Sequence, residues 1–279
     1  MKITTDFHIH THNSCDDACL EFETLIKNAR QYGITDFGVS DHLHSILQKK
    51  DIAASRKEYD EILAKYPQLK GKFHFGIEAS VMSEWEAKKL RDNPMLKDCT
   101  YGLREGGPMN AKPIIVADEE FIEKYKIEYV ISGVHWPLYC REDELSMVKE
   151  YHRLYLYAAS HPSTDILAHY LWWNPIRGMA NAFKNKRLIS NEMRNELKCA
   201  LLENNTAFEI NIDGVLFNKD YNEEFMDWYL GWVHDIQNAG VKLSIGSDCH
   251  SEKLSKEAYQ KAEELLTRYK INLDNLFKL

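Results

Sequence analysis

The sequence predicts an α/β protein built on a parallel sheet that closes on itself. Apolar strand-like runs alternate with helical patterns along the 279 residues, the arrangement of repeated βα units. Side chains of metal-binding type recur where the strand runs stop, and C-terminal strand ends are where such folds gather functional groups. The first and last strand runs both carry these groups, so both must reach one place. Closure does this, whereas an open sheet would more often hold those two strands apart.

The elements follow in order. Strand run 2–9 leads through His8-Ile9-His10 to a helix at about 21–32, and run 34–40 leads through Ser40-Asp41-His42 to a helix at 51–65. Run 73–78 ends in Gly76-Ile77-Glu78, and a helix at 118–125 precedes run 128–135, which ends in Gly133-Val134-His135. A helix at 143–160 precedes run 165–169, ending in Leu167-Ala168-His169. A helix at 189–203 precedes run 206–212, which carries Glu209 and Asn211. A helix at 222–238 precedes run 241–248, whose sequel is Gly246-Ser247-Asp248-Cys249-His250, and a last helix spans about 252–269. Residues 83–112 and 170–188 break the rhythm with Lys, Asp, Gly and Pro, or with Trp172, Trp173 and Arg177. Both follow ligand-type strand ends and are expected to be substrate loops. No linker, repeat or low-complexity tract divides residues 1–279, so a single domain with two loop insertions is expected.

The apolar share of 44% suffices for a large core, and the net charge of −8 argues against a nucleic-acid binder, which usually shows a basic face. An anionic substrate is still compatible with it, because bound cations reverse the local sign. Six scattered cysteines, no leader-like start and no apolar run long enough to span a bilayer predict a reduced, cytoplasmic protein without a membrane partner.

Alternate strand residues point the same way, so His8 and His10 can share one metal, and Asp248 and His250 can face the same site. Histidine and carboxylate ligands suit zinc, iron or manganese. A single strand-end histidine is more often an ordinary hydrogen-bonded residue than a ligand. A whole series of them, read as core, would bury many ionisable groups without partners. The pattern therefore reads as a metal-dependent hydrolase with a polynuclear site.

Taken together, the His8-Ile9-His10-Thr11 opening, Ser40-Asp41-His42, Gly76-Ile77-Glu78, the lone His135 and His169, and the Asp248-Cys249-His250 close resemble the polymerase and histidinol phosphatase (PHP) family of metal-dependent phosphoesterases. The resemblance covers nearly the whole chain and implies a distorted (β/α)7 barrel, matching the seven units above. It also implies two to three divalent metals. One would be held by His8, His10, Glu78 and Asp248, with Glu78 bridging to a second held by His135 and His169. The third would sit with Asp16, His42 and His250. Asp16 is preferred to its neighbour Asp17 on its distance from His8. The implied reaction is attack of a metal-bridging hydroxide on a phosphate monoester, with Glu78, His135 and Asp248 at its centre.

Arg177 and Arg104 are the expected phosphate-binding cations, with Arg141 a further candidate, since guanidinium suits phosphate. His12 and His44, each two residues past a ligand, are candidates to touch the leaving group or to support a ligand. Trp136, Trp172 and Trp173 could wall a pocket. Glu209 and Asn211, pointing the same way, could reach substrate or a metal-bound water. His74 reads as a surface or core filler, and Cys15 and Cys249 as packing residues. The leading substrate is a small phosphorylated metabolite, with L-histidinol phosphate first and hence a place in histidine biosynthesis. No homo-oligomer interface is legible, although such barrels commonly associate. The alternatives are a nuclease or phosphodiesterase, which the acidic charge and lack of a basic stripe disfavour, an amidohydrolase, which would use a strand-end lysine, and an inactive metal-binding module.

Overall fold

In the computed structural model, which describes residues 2–93, 107–135, 140–141, 143–172 and 182–279, seven strands run parallel around a nearly closed barrel. Their order is β1 (Thr5–Asp6), β2 (Asp36–Val39), β4 (Phe73–Ser83), β6 (Tyr129–Gly133), β7 (Ile166–Leu167), β8 (Ala207–Asn211) and β9 (Leu243–Gly246). Two short strands join β4: β3 (His42–Leu43) lies parallel to it and β5 (Pro113–Ile115) antiparallel. The seam between first and last strands is bridged by Phe7 N–H donating to Ile245 O (3.1 Å) and Asp248 N–H to His8 O (2.8 Å). Asp6 reinforces this seam, accepting from the backbone N–H of both His8 and Ser247 at 3.1 Å and from the Tyr259 hydroxyl. Burial pushes its carboxyl up to about 6.

The strands are short, apolar and buried on both faces, as expected where helices cover a parallel sheet; every residue of β4, β6, β8 and β9 is buried. The covering helices are α1 (Phe22–Tyr32), α2 (Lys49–Lys65), α3 (Glu84–Asp92), α4 (Glu119–Tyr125), α5 (Glu144–Ala159), α6 (Asn191–Asn204), α7 (Glu223–Asn238) and α8 (Lys256–Arg268). Helix α1 shows the logic: Phe22, Leu25, Ile26 and Ala29 form one buried stripe. Each large apolar side chain so buried contributes about 1.5–3 kcal/mol. Starts are set by polar caps, with Asp118, Asp143, Ser190, Asn222 and Ser255 each accepting from a backbone N–H three residues on.

The bottom of the barrel is plugged. The Tyr129 hydroxyl donates towards Phe7 O (2.7 Å) and Val39 O (2.9 Å), and the Phe277 ring packs edge-on against Phe7. The candidate metal-binding side chains lie at the opposite, C-terminal end. Among the described residues no helix is long and apolar enough to cross a membrane.

Within the expected loop 83–112, residues 83–93 differ from that expectation, and residues 94–106 lie outside the described residues. β4 runs on to Ser83, α3 follows directly, and β5 returns beside β4. The reason is local: the Ser83 side chain caps α3 through Glu86 N–H at 3.0 Å, and Ser83-Glu84-Trp85-Glu86 carries the spacing of a helix start. In 170–188, single helical turns occupy Ala182–Lys184 and Lys186–Leu188.

Candidate metal centre

Glu78, fully buried on β4, organises the mouth of the barrel. Register places His42 directly beside it on β3. Its two oxygens face different groups. Oε2 lies 3.3 Å from His8 Nε2, 3.6 Å from His10 Nε2 and 2.7 Å from His42 Nδ1. Oε1 lies 2.8 Å from His169 Nε2 and 3.1 Å from His135 Nε2. Burial alone would raise this carboxyl, but the charges of His135, His8 and His42 outweigh it and hold Glu78 well below the usual carboxylate range.

His8 and His10 follow β1 and alternate about Ile9, whose backbone bridges to Cys249, so both rings enter the mouth. Asp248 Oδ1 closes this corner, 3.1 Å from His10 Nε2 and 3.4 Å from His8 Nε2. Two of the residues brought together have unusual backbones. Asp248 is in the left-handed region at φ 55°, which aspartate tolerates better than most residues. His169 has φ 23°, the type of strain that surrounding structure sustains at functional sites.

The third corner is built from loops. Asp16 Oδ2 lies 2.8 Å from His250 Nε2 and 3.2 Å from His42 Nε2, whereas Asp17 is exposed. Burial would raise the Asp16 carboxyl; its hydrogen bonds with His250 and His42 hold it low instead. The rings of His42 and His10 stack at 4.1 Å, so the corner adjoins the first. Among the described residues, His8–His10–Glu78, Glu78–His135–His169, His10–His42–His250 and His42–His44–His135 each present ligand atoms within 4.8 Å of one another.

The donor set fits metal ions. His8 Nδ1 lies 2.5 Å from Glu209 Oε1, and a carboxylate there can only accept, so the proton sits on Nδ1. Once a cation replaces any second proton on the ring, Nε2 of His8 would turn a lone pair to the point shared with Glu78 Oε2, Asp248 Oδ1 and His10 Nε2, the last at 3.0 Å. Lone pairs converging in a buried site repel; a cation among them turns each contact attractive.

Around this set lie residues the sequence did not single out, or singled out for another role. Ser80 Oγ lies 2.8 Å from His135 Nδ1 and 2.7 Å from His44 Nδ1, and the buried His44 ring stacks on His42. Glu209, with Asn211 a candidate to reach substrate or a metal-bound water, pairs with His8. Asn211 Nδ2 donates to Glu209 Oε2 (3.1 Å) and Asp248 Oδ2 (3.2 Å). His12 stands apart from the cluster, its exposed ring pairing with Glu58 (3.2 Å) and Glu21 (3.5 Å) at the rim. The loop turns it outward after Thr11, which is anchored by N–H and hydroxyl to Asp41.

His74 is likewise no filler: it lies between Asp36 (2.9 Å) and Glu128 (3.1 Å). Cys15 and Cys249 are partly buried, and burial pushes both thiols up to about 12. Trp172 packs beside His169 and His135, at ring distances of 5.2 and 5.8 Å. Arg104, Arg177, Trp136 and Trp173 lie outside the described residues, and Arg141 is exposed.

A barrel whose open end gathers histidines about one shared carboxylate has the donor set of a metal-dependent hydrolase. The PHP domain model matches residues 6–212, and the chain belongs to the PHP family. In fold it is similar to the crystal structure of histidinol phosphate phosphatase from Lactococcus lactis subsp. lactis Il1403, complexed with zinc, L-histidinol and phosphate. The TM-score is 0.65 at 16% sequence identity, covering 98% of this chain and 95% of that one. No curated protein matches the sequence significantly.

Proposed function

We propose that the protein is a phosphomonoesterase with a trinuclear metal centre, acting on a small phosphorylated metabolite, and that L-histidinol phosphate is the first substrate to test. The observation that carries this reading is Glu78, whose two carboxylate oxygens face two separate histidine groups. Its position suits a bridge between His8, His10 and Asp248 on one side and His135 and His169 on the other. Asp16, His42 and His250 would hold the third ion. Zinc is one candidate, and the oxygen ligand from Asp16 makes iron or manganese equally suited.

When bound, the metals supply an activated water as nucleophile and neutralise the phosphoryl oxygens. The chain's residues do the rest. Glu78 and Asp248 hold negative charge that keeps multiple cations together, and Ser80 and Glu209 orient the ligand rings. Trp172 offers an apolar wall beside the His135–His169 side, suited to an organic leaving group. The full chain, including β9 beyond the span of the family model, forms one domain in this reading, because the segment that follows β9 carries Asp248 and His250.

The experiment is metal analysis of the purified protein coupled to a panel of phosphate esters that includes L-histidinol phosphate and a phosphodiester. Two to three metals per chain with selective turnover of L-histidinol phosphate is the expected result. Metal with preferential diester cleavage would replace the monoesterase reading, and a protein that binds no metal after supply of zinc, iron and manganese would overturn it.

A further inference from the structure

We propose that Glu209 is a positioning residue that ties two of the metal corners together, acting through His8 and the backbone of His169. The inference rests on the metal-centre reading above, but not on the substrate. Glu209 sits on β8, 1% exposed, and spends its two oxygens differently. Oε1 receives Nδ1–H of His8 at 2.5 Å; Oε2 receives the backbone N–H of His169 at 2.5 Å and Nδ2–H of Asn211 at 3.1 Å. Through Asn211 the same network reaches Asp248 at 3.2 Å. One carboxylate therefore contacts a residue of each of the two corners that Glu78 spans, from the side opposite Glu78.

This arrangement has two consequences. First, the bond to Nδ1 fixes the His8 tautomer, leaving Nε2 as the ligand atom and making it more basic. Secondly, the bond to His169 N–H helps hold that residue at φ 23°, where its ring meets Glu78 Oε1. Space for the carboxylate comes from Gly246, where an added Cβ would lie 2.0 Å from Glu209 Oε1 and 2.6 Å from His8 Cβ. The closing strand thus needs glycine at this point.

Glu209→Gln is the diagnostic variant, since an amide has nearly the same shape but only one accepting atom. Its single oxygen can accept from His8 Nδ1–H or from His169 N–H, and the NH2 group then faces the other donor unsatisfied. Stripped full-length protein would be titrated with zinc against a chromophoric chelator, and the histidine ring protons of the zinc-loaded wild type recorded by NMR. The expected results are an affinity about 10–100-fold weaker in Glu209→Gln with the apo fold retained by circular dichroism, and a protected Nδ1–H signal of His8 in the wild type. Unchanged zinc affinity in a folded Glu209→Gln protein would overturn the proposal. So would a wild-type His8 carrying its proton on Nε2, a readout that survives if the variant does not fold. Wild-type protein that binds no zinc, iron or manganese would instead count against the metal-centre reading itself.

Discussion

Ser80 Oγ lies 2.8 Å from His135 Nδ1, and the far nitrogen of that ring lies 3.1 Å from Glu78 Oε1. The hydroxyl sits two residues after Glu78 on the same strand, so one strand supplies both the carboxylate shared by the two histidine groups and a hydroxyl that meets a neighbouring ring. Ser80→Ala is expected to weaken metal binding by about tenfold, the lower end of what an orienting partner contributes. Chelator competition on the folded variant measures it; unchanged affinity would contradict the role.

Glu78→Gln keeps the shape of the side chain and removes the charge shared by the two corners. Turnover is expected to fall by about 10³-fold or more, corresponding to about 4 kcal/mol in the barrier, with metal occupancy reduced at the same time. His10→Ala should behave alike. Steady-state kinetics beside metal analysis checks both, and full activity of either variant in metal-free buffer would remove the proposed centre.

Stripping the metals should lower stability as well as abolish activity, because a ligand bound only by the folded state stabilises it. At a free metal concentration of about 1,000 Kd the effect is about 4 kcal/mol per site. Thermal melts of stripped and reloaded protein read this directly. Equal melting temperatures would mean that the mouth does not bind the ions.

Gly133 has no room for a side chain: a Cβ would lie 2.5 Å from Glu78 Oε1 and 2.6 Å from His135 Cε1. Gly133→Ala should therefore displace one or both ligands and lose metal at the His135 side. The expected signature is a drop in bound metal with little change in far-UV circular dichroism. A variant with full occupancy would show that the neighbours can yield.

At the other end of the barrel, His74 lies between Asp36 and Glu128. Burial alone would lower its pKa; the hydrogen bonds with Asp36 and Glu128 outweigh that and raise it from 6.5 to about 9. A histidine raised on folding stabilises fully below its unfolded pKa and loses that contribution as pH rises through the folded value. The wild type should then exceed His74→Gln in melting temperature at pH 6, with the gap closing between about pH 6.5 and 9. A gap that stays constant across this window would rule out the charged pairing.

Much of this architecture is legible along the chain. Short apolar runs closing on His42, Glu78, His135 and His169 locate β2, β4, β6 and β7 without any knowledge of their neighbours, although β4 continues past Glu78 to Ser83. Ser83-Glu84-Trp85-Glu86 carried a legible helix start inside the segment expected to be a loop, hidden by the charged, Gly- and Pro-containing stretch around it. Glu209 is the opposite case. Its alternation with Asn211 shows that both face one way, but nothing local says that the carboxylate meets His8, 201 residues earlier. The outward turn of His12, two residues past a ligand, is equally invisible to spacing.

The sequence by itself determined the alternation of strands and helices, the polar helix starts and the chemical type of the residues at the mouth, since each depends on neighbours a few positions away. Only the tertiary structure decided which oxygen of Glu78 faces which ring, and how closely Asp16, already expected beside His42 and His250, meets each of them. It also decided that Glu209 meets the His8 ring and the His169 backbone. Those outcomes depend on closing the barrel seam between β1 and β9 and on the register of parallel strands, which are set by packing between segments far apart in the chain.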